Sequence, residues 1–262
     1  MVDIQFAAHA SESGHWYDKD ANLIESVPSA DGKRLVKPTL VHARKLQLAP
    51  GVTTIMRCAD KPQLALWLQR QAIMAALTLP RLDSESETSW LARVMQDMKE
   101  TGKKAAEEGT RIHAAIQSHY EDLPVPADYE PHVEGVERHL LEVCGKQEWR
   151  SEVACVNMLG YGTKADLVGD SWLVDFKGKD GDQATLDGLY TYDEHAMQLA
   201  ATAAALGKDI AHAGIMFVSR THPGACRMVG IDNNELARGM DMFRALLDYW
   251  QKKNRYRPSW AQ

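Results

Sequence analysis

Apolar residues repeat along this chain with two different periods, and the pattern changes near residue 147. Between residues 56 and 146 they recur every three or four positions, which is typical of amphipathic helices. From residue 147 onward, short runs that alternate polar and apolar side chains predict strands, accompanied by further helical patterns. We therefore expect a helical region followed by a sheet-containing core, within a single domain over residues 1–262.

The predicted elements follow a definite order. Residues 1–55 carry short polar runs and turn signals, which indicate a β-rich or irregular N-terminal region. A long helix is predicted over 89–120 within the helical region, and another over 131–144. In the core, residues 147–262, the pattern predicts strands near 148–157, 161–168 and 172–176, a helix near 194–206, strands near 213–219 and 226–231, and a helix near 233–253. This order predicts a mixed central sheet flanked by helices.

Composition and charge narrow the function without identifying it. The hydrophobic content of 45% and charged content of 25% are globular averages. A net charge of −6 argues against a protein that coats duplex DNA, because nonspecific affinity comes mainly from phosphate neutralisation by Lys and Arg. A nuclease stays compatible with this charge, since cations neutralise acidic residues gathered at a metal site.

The N-terminal sequence, the hydropathy and the cysteine pattern indicate the cellular location of the protein. No run of about 18 apolar residues occurs, so we expect no membrane partner. The first 30 residues lack the charge pattern of a targeting peptide, and we expect a cytoplasmic protein. The four cysteines are scattered without a Cys-x-x-Cys pair, which predicts reduced thiols and no iron–sulfur cluster.

Two carboxylates and a lysine fall within one predicted β-hairpin. Asp166 lies on its first strand, a Gly-Asp-Ser turn follows, and Asp175 and Lys177 lie on the second strand. Because side chains alternate across a strand, Asp175 and Lys177 share one face while Phe176 points into the core. Hard cations such as Mg²⁺ prefer oxygen ligands. The hairpin therefore predicts a metal site beside an amine, and an ordinary hairpin with solvated charges is the alternative.

In context, the hairpin resembles the core of PD-(D/E)xK nucleases, and neighbouring segments resemble their RecB-like branch in chain order. Residues 108–113 resemble the Gly-x-x-x-His helix of that branch, Glu152 precedes the hairpin as its glutamate does, and Gln198 begins a segment like its Gln-x-x-x-Tyr helix. Thr202 stands where that tyrosine is expected. The pattern is most similar to the mitochondrial genome maintenance exonuclease and related phage and prophage exonucleases, through segments 50–55, 160–177 and 214–219.

This resemblance implies a restriction-endonuclease-like α/β (α+β) fold and a metal-dependent DNA exonuclease. The implied substrate is single-stranded DNA or DNA ends, in bacterial or phage recombination, replication or repair, with a single-strand annealing or replication protein as a candidate partner. The implied ligands of one or two Mg²⁺ or Mn²⁺ ions are His113, Asp166, Asp175 and the carbonyl of Phe176. Catalytic roles are implied for Glu152, Asp166, Asp175, Lys177 and Gln198.

Basic residues near these motifs are candidate contacts for DNA phosphates: Lys103, Lys104, Arg111, Lys164 and Lys179. The first two also stand four residues before glutamates, a spacing that by itself stabilises helices. Ordinary helix stabilisation is therefore the competing interpretation for them.

Three questions stay open at the level of sequence. Lys177 can act as a base or as an electrostatic clamp, because neighbouring carboxylates and a nearby metal shift its pKa in opposite directions. A structure-specific endonuclease could use the same core. A non-catalytic DNA-binding recombination accessory is a further alternative, although gathering acids near a polyanion has no use in a protein that only binds DNA.

Overall fold

The computed structural model of the protein describes residues 14–262. Residues 1–13, which belong to the predicted N-terminal region, lie outside the described residues, as do the side chains of Pro62, Gln63 and Thr101. The helices, in chain order, are α1 (Leu40–Leu46), α2 (Val52–Met56), α3 (Pro62–Thr78), α4 (Glu87–Tyr120), α5 (Glu130–Cys144), α6 (Gln183–Asp187), α7 (Asp193–Leu206) and α8 (Asn233–Asn254).

Four two-residue strands precede the main sheet: β1 (Trp16–Tyr17), β2 (Val27–Pro28), β3 (Leu35–Val36) and β4 (Ala49–Pro50). The main sheet contains β5 (Arg150–Asn157), β6 (Tyr161–Val168), β7 (Trp172–Lys179), β8 (His212–Ser219) and β9 (Cys226–Ile231), in that spatial order. β7 and β8 are parallel and the other neighbours are antiparallel. α6 and α7 form the crossover that a parallel pair requires.

The helices that position the site begin at identifiable caps. The side chain of Ser86 accepts a hydrogen bond from the Ser89 amide at the start of α4, and Glu87 follows in its first turn, where an acid complements the helix dipole. Asp232 caps α8 in the same way. α4 runs for 34 residues and carries its apolar stripe towards the sheet over its last turns, where Ile112 and Ile116 are buried.

Helices cover both faces of the main sheet. On one face, Ile112 of α4 and Leu140 of α5 pack against Val174 and Met216. On the other face, Leu199 of α7 belongs to a second buried cluster that includes Ile215 and Phe217 of β8. A third cluster joins α7 and α8 to residues 16–56, so the N-terminal elements pack directly on the core. The protein is thus a mixed five-stranded sheet flanked by helices.

The predicted order of core elements is confirmed, as is the mixed sheet between helices. β7 extends three residues beyond the predicted strand, because it continues to pair with β8 as far as Lys179. The short helices α1, α2 and α6 were not predicted, since five to seven residues hold too few turns to display a helical period. Among the helices of the described part, none has the length and apolar character needed to cross a membrane.

Candidate active site

The site forms where the predicted hairpin opens. The ladder between β6 and β7 joins Leu167 to Val174 and Val168 to Leu173, next to the turn. One residue farther from the turn, a side chain replaces the backbone as the acceptor. Asp166 Oδ2 accepts a hydrogen bond from the Phe176 amide at 2.9 Å. The separation of the two strands therefore begins at Asp166, one of the predicted metal ligands.

Three potential ligand atoms gather on the α4 side of this opening. His113 Nε2 lies 3.2 Å from Asp166 Oδ2 and 3.8 Å from Glu152 Oε1, and one ligand atom from each residue lies within 4.8 Å of the others. The His113 ring also contacts Phe176 edge to face, with 5.7 Å between ring centres. α4, β5 and β6 thus each contribute one side chain to a compact group, which we call the His–Glu–Asp group.

Glu152 enters this group through an unusual backbone conformation. Its φ is +52°, in the left-handed region, although it lies inside β5. The flanking residues Ser151 and Val153 keep their pairing with β6, so the distortion is confined to one residue. Left-handed backbone in a residue with a Cβ costs free energy and is concentrated at functional sites. Lys164, on β6, forms an ion pair with the other carboxylate oxygen, Glu152 Oε2.

The second half of the site lies on β7 and α7, and we call it the Asp–Lys–Gln group. Lys177 Nζ is 2.5 Å from Asp175 Oδ2, and Gln198 Nε2 donates to Asp175 Oδ1 at 2.5 Å. Gln198 Oε1 in turn accepts from Lys177 at 3.4 Å. Asp175 is therefore held at Oδ2 by Lys177 and at Oδ1 by Gln198. α7 therefore supports the acid and the amine from the sheet face opposite α4.

Burial and neighbouring charges give the two aspartates different acidities. Burial raises the pKa of Asp175 to about 6, and the nearby Asp166 charge adds to this, although Lys177 opposes both. Burial also acts to raise the pKa of Asp166, but the hydrogen bond and charge of His113, with Lys177, leave that pKa below its usual value. Asp166 is therefore the stronger acid of the two.

Neighbouring carboxylates favour the charged forms of Lys177 and His113. Burial acts to lower the pKa of Lys177, yet Asp175 and Asp166 outweigh it, so the pKa lies above its ordinary value. Burial likewise acts to lower the pKa of His113, and the hydrogen bond and charge of Asp166 raise it overall. A cation bound at the His–Glu–Asp group would have to displace the His113 proton, because imidazole binds metal in its neutral form.

The donor set fits a divalent cation. Glu152 Oε1 is a buried oxygen without a hydrogen-bond partner among residues 14–262, whereas the buried Asp175 Oδ2 faces the Lys177 ammonium. Burying an unpaired charged oxygen is costly unless a cation or donor compensates it. Two carboxylates and one imidazole suit Mg²⁺ or Mn²⁺, with Mn²⁺ the better match for the nitrogen ligand.

The structure groups the predicted site residues in a particular way. Of the predicted ligands, His113 and Asp166 belong to the His–Glu–Asp group, and Glu152 joins them. Asp175 lies outside that group, although it is close enough to Asp166 for the charge of Asp166 to raise the pKa of Asp175. Metal-binding roles for Asp175 and for the Phe176 carbonyl stay predictions, as do the catalytic roles assigned from the sequence.

The candidate DNA-contacting residues differ in their surroundings. Three of them already face carboxylates: Lys103 lies 3.6 Å from Glu107, Arg111 lies 3.1 Å from Glu108, and Lys164 pairs with Glu152. Lys104 is exposed on α4. Lys179 is half-buried on the same face of β7 as Lys177, and no carboxylate of the described residues lies within ion-pair distance of it. Burial, with Arg220 and Lys177 nearby, lowers the pKa of Lys179.

A cavity of about 220 Å³ adjoins the Asp–Lys–Gln group, and most of its lining was not recognised in the sequence. Lys177 and Gln198 form one side, and the remaining lining residues are Thr53, Met56, Lys61, Glu194 and His195. Thr53 falls in the 50–55 segment that carried part of the resemblance. The others give no sequence signal, because their proximity depends on α2 and the start of α3 folding against α7.

Thr202, which occupies the place of an expected tyrosine, has a structural contact. Its hydroxyl lies 3.0 Å from the hydroxyl of Thr163 on β6, and both residues are buried. Tyr161, at the start of the same strand, donates to the Ala201 carbonyl at 3.0 Å. These two contacts attach α7 to β6, so Thr202 helps to fix the helix that carries Gln198.

No family model matches the sequence, and no curated protein matches it. Among solved structures, the chain is similar to an alkaline exonuclease (LHK-Exo) from Laribacter hongkongensis, with 14% identity over 72% of this chain and 97% of that chain, at a TM-score of 0.30. A second structure, LHK-Exo in complex with dAMP, gives 16% identity over 70% and 90% of the two chains, also at a TM-score of 0.30. Likeness at this level does not transfer residue roles.

Proposed function

We propose that this protein is a metal-dependent DNA exonuclease of the PD-(D/E)xK type. The observation that carries the proposal is the adjacency of the His–Glu–Asp group, in which the buried Glu152 Oε1 has no hydrogen-bond partner among the described residues, and the lysine of the Asp–Lys–Gln group. The first group can hold a divalent cation, and both groups together can stabilise the extra negative charge that develops when water attacks a phosphodiester, which is itself a monoanion. A protein that only binds DNA would lose affinity by placing acids at this point.

Each residue has a defined task in this proposal. His113, Glu152 and Asp166 would hold Mg²⁺ or Mn²⁺, with Asp175 and the Phe176 carbonyl as further ligands implied by the family resemblance. The bound ion would supply Lewis-acid stabilisation of the charge that develops on the phosphate. Hydrolysis then adds water to the phosphorus, breaks the bond to the leaving ester oxygen, and delivers a proton to that oxygen.

Lys177 acts as an electrostatic clamp in this scheme. Asp175 raises its pKa and Gln198 fixes its position, so it meets the phosphate as an ammonium that donates hydrogen bonds. Such preorganised donors contribute about 10²- to 10³-fold in kcat when they face developing charge. Gln198 is a positioning residue, since it contacts both Asp175 and Lys177.

The test compares three DNAs under identical conditions: a linear single strand, a covalently closed single-stranded circle and a blunt duplex, each with Mg²⁺, with Mn²⁺ and with EDTA. We expect metal-dependent degradation of the linear strand and an intact circle. Rapid cutting of the circle would identify an endonuclease on the same core. Binding without cleavage under all metal conditions would instead favour the accessory role and contradict a nuclease.

A further inference from the structure

The cavity beside Lys177 is walled on the side away from His113. α2 contributes Thr53 and Met56, and the start of α7 contributes Glu194 and His195. Lys61, immediately before α3, completes the wall. A volume of about 220 Å³ is below the range of roughly 300–1,000 Å³ usual for ligand pockets, so it admits part of one nucleotide.

One ion pair closes this wall. Lys61 Nζ lies 2.9 Å from Glu194 Oε2, and the pair joins the residue that precedes α3 to the first turn of α7. Both side chains are a little over one-third exposed. The pair therefore lies at the surface edge of the cavity.

The chemistry of the lining favours a phosphate over a cation or an apolar group. Lys177, Lys61 and the Thr53 hydroxyl all offer hydrogen-bond donors. His195 accepts from the Tyr192 amide at Nδ1, at 3.1 Å, so Nε2 carries the proton of the neutral ring. Glu194 is the single carboxylate among the lining residues, and Lys61 neutralises it.

We propose that this cavity binds the phosphate and sugar of one terminal nucleotide, and that the Lys61–Glu194 pair stops the strand from continuing beyond it. The inference rests on the proposed function and adds the cause of its end dependence. Water attacks the phosphorus that lies between the terminal nucleotide and the rest of the strand. The phosphoester bond breaks, the leaving oxygen takes a proton, and the products are one mononucleotide and a strand shorter by one.

The experiment measures product length from an end-labelled single strand in Mn²⁺, resolved at single-nucleotide steps. For the wild type we expect mononucleotides as the main product. Lys61→Ala and Glu194→Ala each open the wall, and we expect the ratio of mononucleotides to longer products to fall by at least about tenfold. Lys252→Ala is the matched control, because it removes a lysine from an exposed ion pair with Asp248, on α8.

A second variant tests the cavity by filling it. Thr53→Phe places a ring in the space, and we expect loss of cleavage at DNA ends with an unchanged thermal shift on addition of Mn²⁺. Unchanged product length in both wall variants, or full exonuclease activity in Thr53→Phe, would overturn the inference while leaving the nuclease intact. Oligonucleotides as the main wild-type product would overturn it as well. Absence of any cleavage by the wild type would overturn the proposed function and this inference together.

Discussion

The two halves of the site satisfy their charges in opposite ways. In the His–Glu–Asp group, two carboxylates face one imidazole, and Glu152 Oε1 has no hydrogen-bond partner among the described residues. In the Asp–Lys–Gln group, an acid faces an amine, and an amide bridges both. Lys164 pairs with the other oxygen of Glu152, so the first half leaves one buried carboxylate oxygen, Glu152 Oε1, for an added cation. The second half is complete when the protein folds.

This difference follows from the elements that build each half. His113 reaches the sheet from α4, and Gln198 reaches it from α7 on the opposite face. Both side chains reach the part of the sheet where β6 and β7 separate, next to Asp166. Substitutions in the first half should therefore change metal binding, whereas substitution of Lys177 in the second half should change turnover with metal binding intact.

Asp166→Asn should produce the largest effect, because Asp166 contacts His113 and also fixes the Phe176 amide. We expect kcat to fall by at least about 10³-fold, since the cation loses a charged ligand. We also expect the thermal shift caused by Mn²⁺ to disappear. At a concentration of about 100 times Kd, a ligand stabilises the folded state by about 2.7 kcal/mol.

The matched control for this substitution is Asp170→Asn, which alters an exposed acid in the turn of the same hairpin. It should retain both activity and the Mn²⁺ shift. A folded Asp166→Asn protein with wild-type metal response would remove Asp166 from the metal site.

Lys177→Ala should reduce kcat by about 10²- to 10³-fold, because a preorganised donor to the phosphate is lost. An ammonium is not a metal ligand, so the Mn²⁺ thermal shift should persist, and DNA binding should remain measurable in equilibrium assays. The comparison of the two halves fails if Lys177→Ala loses the Mn²⁺ response as completely as Asp166→Asn does.

Sequence patterns were sufficient for the core elements and for the hairpin, since a strand period of two fixes the shared face of Asp175 and Lys177. They could not predict the left-handed conformation of Glu152, because nothing in its local sequence requires a positive φ. The sequence also could not predict the wall of the cavity. The Lys61–Glu194 contact joins residues 133 positions apart through the packing of short elements, and no local period encodes such a contact.

His113→Ala should have an intermediate effect, because it removes one of three ligand atoms in the first half. We expect the metal concentration for half-maximal rate to rise at least about tenfold, the loss typical when a metal site loses even an outer partner. The ratio of activity in Mn²⁺ to activity in Mg²⁺ should be larger for the wild type than for the variant, because the imidazole favours the softer ion.

The pH dependence of metal binding provides a second measurement on His113. Its pKa is raised, so protons compete with the cation as pH falls through and below that pKa. Wild-type metal affinity should therefore increase with pH across the neutral range, and His113→Ala should flatten this dependence. His119→Ala, which changes a histidine paired with Glu137 on the same helix, is the control and should keep the wild-type slope.

The smallest expected effect concerns DNA affinity at the edge of the second half. Lys179 shares the β7 face of Lys177 without a carboxylate in ion-pair distance among the described residues, whereas Lys103 already pairs with Glu107. A free ammonium can neutralise a phosphate without first breaking an ion pair. Lys179→Ala should therefore weaken DNA binding several-fold and lower the slope of log K against log salt by about 1, the change expected for one lost phosphate contact. Lys103→Ala should leave that slope unchanged. Equal slopes for the two variants would show that the DNA path does not follow β7 beyond Lys177.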